Sequence, residues 1–582
     1  MAQTRTTKQS ARPWRRIVAS GRPSGWTVLS MLAAAAISLP IFVVAANIFA
    51  PTGEIWNHLA STVLPDYISN TIWLMVGVAA GVSVGGVGSA WLVSLCDFPG
   101  RRFAEWALLL PFAVPAYVIA YTYTGLFEFA GPIQSTLRDL FGWHRGGYWF
   151  PDVRSLEGAI VMMVLVLYPY VYLLSRAAFL EQSVCTLEVS RTLGCGPWAS
   201  MFRVALPLAR PSIAAGIALA LMEALNDFGT VQYFGVDTFT TGIYRTWLGL
   251  GQPEAAAQLA AVLMLFIFAL VLLERWSRGR ASYQHLTSRY RPLPTFRLSG
   301  ARAVAAALFC FTPVFFGFLL PAGALAVWTV RSAAEVIDDR FVTLVVNSFT
   351  LSVLAALIAV SIAVLLAYAL RLRGNAVTAA MTRVASLGYA IPGAVIAIGV
   401  FMPFGWVDRG LNGASKALFG APVGLVVSGT IVILLFAYTV RFLAIAIGTV
   451  ESGFSRVTGH MDDAARTLGS GPAATVRRIH APIMRGSLLT AGLLVFVDVM
   501  KELPATIMLR PFNFDTLAVR TYAYAVDEQL VEAAPSALAI VLVGILPVIL
   551  LSRAITRSRP GTGAGRARRV AAAAEHPYGV AP

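Results

Sequence analysis

The stretch Leu187–Gly216, LEVSRTLGCGPWASMFRVALPLARPSIAAG, occurs twice: moved by 275 positions it becomes Asp462–Ala491. Glu188 lands on Asp463, Arg191 on Arg466, Thr192-Leu193-Gly194 on Thr467-Leu468-Gly469, Gly196-Pro197 on Gly471-Pro472, Arg203 on Arg478, Pro207 on Pro482 and Arg210 on Arg485. The register continues through Glu223 on Asp498, Asp227 on Glu502 and Arg245-Thr246 on Arg520-Thr521. Earlier in the chain, Asn70-Thr71 matches Asn347-Ser348 and Pro115-Ala116 matches Pro392-Gly393, at an offset of 277. A chain matching itself at so long an offset consists of two like halves.

The repeated segment is polar and basic, and it lies between long apolar runs. Hydrophobic residues make up 57% of the chain and charged residues 13%, and the mean hydropathy is +0.71, far from soluble globular averages. Such a chain is a polytopic membrane protein. Its net charge of +16 sits in short loops between apolar runs rather than in one basic domain, which points to membrane topology and away from nucleic acid. Cys96, Cys185, Cys195 and Cys310 show no CxxC spacing, so neither a redox motif nor a zinc site is indicated.

A spanning helix needs about 20 mainly apolar residues, because lipid offers the backbone no hydrogen-bond partner. Twelve runs qualify: 26–50, 68–95, 103–128, 156–179, 210–233 and 255–274, then 303–329, 343–370, 379–404, 422–447, 486–508 and 536–553. The expected fold is therefore all-α, with about twelve transmembrane helices in two parallel six-helix repeats. A basic arm, 1–25, precedes the first half, 26–274. The linker 275–302 carries seven arginines, at 275, 278, 280, 289, 291, 297 and 302. The second half runs 303–553, and the Gly/Ala/Arg-rich tail 554–582 reads as disordered. Every Arg-rich loop falls on one side of this arrangement, which the positive-inside rule makes cytoplasmic, with both termini inside.

Each repeated segment, 182–210 and 457–485, opens with an acid, breaks at glycine and ends at a proline that feeds the next apolar run. It resembles the EAA segment of importer permeases of the ABC family, with Glu188-Val189-Ser190 in the first copy and Asp463-Ala464-Ala465 in the second. The resemblance implies a cytoplasmic coupling helix that docks on an ATPase subunit, and a fused pair of half-permeases of the type I kind. By it, Glu188, Arg191, Gly194, Gly196 and Pro207, with Asp463, Arg466, Gly469, Gly471 and Pro482, carry the coupling. Glycine suits the turn, and proline suits the start of the following span. It also implies as partners two ABC ATPase subunits, which use ATP and magnesium, and a periplasmic or extracellular solute-binding protein. This chain has no GxxxxGK[ST] phosphate loop; it is expected to be a transport subunit of the inner membrane with no catalytic residues and no cofactor of its own.

The fifth and eleventh runs contain ALMEALNDFGT and FVDVMKELPAT. Charge in hydrocarbon costs roughly 2.5–3.5 kcal/mol per residue on insertion scales and marks functional positions. Glu223 and Asp227 are four apart, as are Asp498 and Glu502, so each pair is expected on one helix face. Asn226 and Lys501 align with each other. These six residues, with Pro115 and Pro392 as interruptions inside spans, are expected to shape a translocation pathway. The four carboxylates are candidate transient ligands for a hard cation, or else structural gate contacts to Lys501 and loop arginines. His480 is expected as a surface contact and Arg441 as a snorkelling interfacial residue.

Residues 225–249, LNDFGTVQYFGVDTFTTGIYRTWLG, resemble the ferric-iron branch of fused permeases. Thiamine, polyamine and phosphonate carriers of the same machine type remain open. From another class, so does a secondary transporter driven by an ion gradient, although it leaves the repeated segments unexplained. No nucleophile–base pair supports a membrane enzyme.

Overall fold

The computed structural model describes residues 25–50, 52–144, 147–181, 194, 196–278, 295–373, 376–455 and 457–557. The basic arm, Glu188, Arg191 and most of the first repeated segment, the bulk of the linker and the tail beyond 557 lie outside the described residues. Nearly everything described is helical, and strand pairing among the described residues is confined to a two-residue parallel match of Cys96–Asp97 with Phe296–Arg297.

Among the described residues, eleven helices are long and apolar enough to cross a membrane, or twelve if the bent pair Arg101–Ala113 and Ala116–Phe141 counts as one span. In the first half the elements used below are α1 (Gly25–Ala46), α2 (Leu64–Leu95), α3 (Ala116–Phe127), α4 (Leu156–Glu181), α5 (Trp198–Asn226), α6 (Gly229–Tyr233), α7 (Phe239–Tyr244) and α8 (Pro253–Arg278). In the second half they are α9 (Ala301–Val336), α10 (Asp339–Arg373), α11 (Gly393–Phe419), α12 (Ile431–Phe454), the short α13 (Gly459–Thr467), α14 (Pro472–Met500), α15 (Pro504–Leu509), α16 (Leu517–Val526) and α17 (Leu530–Arg557). Helix α13 opens the second of the two repeated segments.

Pro115 and Pro392 do not sit inside helices. Each caps the N-terminus of one, with φ −62° and ψ 146° for Pro115 and φ −56° and ψ 144° for Pro392. Proline lacks the N–H that a helix interior must donate, whereas a helix start leaves that group unused. In the first half the two arms of the third span meet at 91° at this point. In the second half, α11 begins at Gly393 and runs to Phe419. The expected span 379–404 is thereby displaced toward the C-terminus, and α12 starts at Ile431 rather than at 422.

Pro207 and Pro482 are also placed differently from expectation. The helices that carry them start about ten residues earlier, at Trp198 and Pro472, and pass through one π-helical turn each, Met201–Ala205 and Val476–His480. A proline ring presses on the carbonyl four residues before it. Those carbonyls belong to Arg203 and Arg478, inside the widened turns, so the helix bypasses the proline without ending.

The chain forms two compact units. One comprises Met1–Leu39, Ala356–Tyr389 and Thr439–Val495, the other Pro40–Ala355, Ala390–Tyr438 and Phe496–Pro582. In the first, Trp26 of α1 meets Tyr368 of α10 edge-on at 5.4 Å, and Gly388 packs against the Val440 carbonyl. In the second, α2 lies along α4 through glycines four residues apart. A Cβ on Gly77 would come within 2.6 Å of Ile160, and one on Gly81 within 2.4 Å of Val164. Such a smooth stripe lets two helices approach closely where lipid provides no hydrophobic drive to pack them. Arg441 is 4% exposed, with its guanidinium 5.4 Å from the Phe442 ring; it is a buried residue of α12, not an interfacial one.

Candidate functional site

In the second unit, the apolar runs carrying the intramembrane charges break. Helix α5 ends at Asn226, and Asp227 takes an extended conformation with φ −65° and ψ 131°. Its carboxylate then accepts hydrogen bonds from the backbone N–H groups of Thr230 (2.9 Å) and Val231 (3.2 Å) and from the Thr230 hydroxyl (3.0 Å). Helix α14 ends at Met500, and Glu502 does the same one repeat later. It accepts from the N–H groups of Ala505 (3.0 Å) and Thr506 (3.1 Å) and from the Thr506 hydroxyl (2.7 Å). The exposed N–H groups of a helix start carry partial positive charge, which a carboxylate satisfies. Each acid therefore begins a short new helix, α6 or α15, and Asp227 does not share a helix face with Glu223.

The two breaks meet. Gly229 is wedged between the Tyr117 side chain and Leu503, where a Cβ would approach them to 2.6 and 2.9 Å. Asn226, 7% exposed, accepts a 2.7 Å bond on Oδ1 from the N–H of Gly393, the first residue after the Pro392 cap. Its aligned partner, Lys501, lies 2.9 Å from Asp498 and 5.3 Å from the Phe112 ring, just before the Pro115 cap. Each half thus reaches the proline cap of the other. The hydroxyls of Tyr438 and Thr506, 2.7 Å apart, fasten α12 to the second break.

Among the described residues, no three His, Cys, Asp or Glu side chains converge into a metal-holding group. The four carboxylates play different parts instead. Asp227 and Glu502 are committed to backbone amides, and Asp498 pairs with Lys501. Beyond the breaks the repeat register shifts. Thr238 and Thr516 cap α7 and α16, and the preceding Asp237 and Asp515 carbonyls accept from Asn70 (2.9 Å) and Asn347 (3.1 Å). The structural partner of this segment therefore lies three residues beyond the Arg245/Arg520 alignment, because α15 is one residue longer than α6 and the loop 510–515 is longer than its counterpart 234–237 by the rest.

A further ion-pair cluster in this unit joins the halves. Arg154 lies 2.7 Å from Glu128 and 2.7 Å from Glu528, and it donates to the Tyr233 hydroxyl at 3.2 Å.

The second repeated segment belongs to the first unit. Gly469 has φ +78° and Gly194, in the first copy, φ +79°, a backbone conformation that costs a side-chain-bearing residue roughly 1–2 kcal/mol. Gly471, at φ −70° and ψ 165°, takes a conformation open to any residue, and Gly196 is not among the left-handed glycines. Asp463 and Arg466 are exposed and 3.9 Å apart; Leu468 beside them is 84% exposed.

The held acid is the neighbouring Asp462, which the repeat alignment passes over. Arg371, near the end of α10, donates from Nε to Asp462 Oδ2 at 2.6 Å, and His480 Nε2 lies 2.6 Å from Oδ1. The other Arg371 nitrogens bond the carbonyls of Phe454 (3.1 Å) and Val457 (2.7 Å), at the end of α12. His480 is 1% exposed, flanked by the rings of Tyr368 at 5.2 Å and Phe454 at 5.4 Å. It is a core residue and not a surface contact. Burial would push the Asp462 carboxyl up, but the hydrogen bonds from Arg371 and His480 and their charges hold it below the ordinary 3.8.

Two like halves of spanning helices, each with a basic segment leading into a π-turned helix, define a membrane permease. The chain belongs to the family of binding-protein-dependent transport system inner membrane components, which matches residues 86–282 and again residues 359–561. It is a fused member, carrying both copies in one polypeptide. The Fe(3+)-transport system permease protein FbpB 2 of Haemophilus influenzae is 28% identical over 500 residues, 84% of this chain and 90% of that protein. The molybdenum transport system permease protein ModB of Escherichia coli is 28% identical over 206 residues, 34% of this chain and 87% of its own length. A putative 2-aminoethylphosphonate transport system permease protein, PhnU, of Salmonella choleraesuis is 25% identical over 269 residues, covering 44% of this chain and 93% of that one.

Proposed function

We propose that this permease imports ferric iron, delivered by a solute-binding protein on the outer side and driven by two separate ATPase subunits on the inner side. The observation carrying the substrate is the extent of the likeness. The iron-transport relative spans the fused layout of both halves, whereas the molybdenum relative covers one third of the chain. The coupling helices dock on the ATPase subunits through their exposed faces, here Asp463, Arg466 and Leu468 in the second copy, and both termini lie in the cytoplasm. ATP and magnesium belong to those partner subunits. The broken helices form the closed part of the path. Glu223 and the Asp498–Lys501 pair line it, and Asp227 and Glu502 hold its shape.

A second reading, an oxyanion such as molybdate or a phosphonate, draws on the half-length relatives, and Lys501 is the cation in the path that an anion would meet. The test reconstitutes the chain with its ATPase subunits in proteoliposomes and measures ATP hydrolysis with iron-loaded, molybdate-loaded and aminoethylphosphonate-loaded receptors. Stimulation by the iron-loaded receptor alone is expected. Stimulation by an oxyanion receptor with none by iron would overturn the substrate. In the same preparation Glu223→Gln with Asp498→Asn should cut uptake at least about 10-fold at unchanged expression; undiminished uptake removes those residues from the path.

A further inference from the structure

We propose that Asp462, Arg371 and His480 form a rigid joint that makes the second coupling helix move as one body with the span it feeds, and that the first half, whose sequence has no ionisable residue at the three matching positions, does not encode this joint, so the two levers are mechanically unequal. The inference rests on the reading that α13 docks on an ATPase subunit.

One carboxylate ties four helices together, at the ends of three of them and at the π turn inside the fourth. Asp462 lies in the first turn of α13. Its Oδ1 bonds His480, the last residue of the π turn in α14. Its Oδ2 bonds Arg371 in the last turn of α10, and that guanidinium also closes the carbonyl end of α12 through Phe454 and Val457. The planar guanidinium fixes direction as well as distance, and His480, packed between two rings, has no room to swing. A displacement of α13 is therefore passed to the foot of α14 without slack. Helix α14 is the one whose far end carries Asp498.

At the register-equivalent positions the first half has Leu187 for Asp462, Ala205 for His480 and Ser94 for Arg371. None of these ionises, so the ion-paired joint is not encoded there. Two halves that otherwise correspond at the π turns, the left-handed glycines and the helix breaks differ in the part that would transmit force.

The experiment uses the full complex with its ATPase subunits and receptor in proteoliposomes and reads substrate imported per ATP hydrolysed. Asp462→Asn and His480→Gln should leave the ATPase subunits bound and hydrolysis near its usual rate while lowering the transport ratio roughly 5-fold or more, the lower end of measured coupling energies. Leu187→Asn, at the matching place in the first half, should leave the ratio unchanged. His480→Gln exchanges the ring-packed donor for a flexible one that loses the contacts to Tyr368 and Phe454, so the bond to Asp462 no longer has a fixed direction; it also guards against a folding failure in Asp462→Asn. An unchanged ratio in a folded His480→Gln complex, or an equal loss in Leu187→Asn, overturns the joint. A parallel arm, Asp463→Ala with Arg466→Ala and Leu468→Ala, is expected to release the ATPase subunits. Full retention there would remove the docking reading and the joint with it, whereas release there together with an unchanged ratio in His480→Gln removes the joint alone.

Discussion

Asp462 and Asp463 are adjacent acids with opposite fates. Asp463 is the one that repeat alignment selects, and it stands in solvent; Asp462 is the one on which the ends of α10 and α12 and the π turn of α14 converge. Its partners Arg371 and His480 lie 91 and 18 residues away along the chain, and the first half has no counterparts, so neither the repeat nor any local spacing marks them. Only packing brings them together. Removing one member of a buried ion pair typically costs about 3–5 kcal/mol, and the partial exposure of Arg371 and Asp462, 21% and 14%, puts this pair toward or below the lower end. Because the folded carboxyl is held below its ordinary 3.8, its stabilisation is complete above that value and is lost as the pH falls through the lower, folded value. Amide hydrogen exchange across residues 457–480 should therefore be insensitive to this group from about pH 8 to about pH 5 and lose protection in acid. Asp462→Asn should be less protected at neutral pH and show a flatter acid profile. An acid profile identical to that of the unsubstituted chain would show that Asp462 contributes nothing to this segment.

At the level of elements, the spans are largely legible in the sequence because twenty or so apolar residues in lipid have one way to satisfy their backbone. Where they end is less so. Residues 227–233 and 502–508 continue the apolar run, and a reading by hydropathy carries α5 and α14 straight through them. The breaks come from side-chain chemistry instead: Asp227 and Glu502 outcompete the helix for the N–H groups three and four residues on. Each copy has a threonine just beyond its acid, but it stands three residues on at Asp227/Thr230 and four at Glu502/Thr506, out of the repeat register, and the spacing of the acids alone assigns them to a helix face. The glycines of the repeated segment divide in the same way. Sequence matching treats Gly469 and Gly471 alike, whereas of the two Gly469 alone has positive φ. Gly469→Ala should cost about 1–2 kcal/mol of local stability, and Gly471→Ala should be close to neutral or slightly favourable, since alanine restricts the unfolded chain more than glycine does. Thermal unfolding of the purified chain, followed by ATPase-subunit pull-down, checks both. Equal losses from the two substitutions would mean that the turn is set by something other than the left-handed residue.

For the whole molecule, the proposed function requires the two halves to enter the bilayer in the same sense, so that both repeated segments face the compartment that holds the ATP. That sidedness follows from arginine counts in the loops and from the even number of spans, and it depends on treating the bent pair around Pro115 as one crossing. If the arms of that pair were instead a re-entrant loop, the first half would cross five times and its repeated segment would face the opposite side from the N-terminal arm. Single cysteines decide between these arrangements. In a background lacking the four native cysteines, Trp198→Cys beside the first glycine turn and Leu468→Cys beside the second, both highly exposed, should react with a membrane-impermeant maleimide only in inside-out vesicles. Phe512→Cys and Trp149→Cys, 93% and 85% exposed in loops between spans, should react only in right-side-out cells. Labelling of positions 198 and 468 from opposite sides would break the parallel repeat, because no rigid pair of ATPase subunits could then pull on both levers at once.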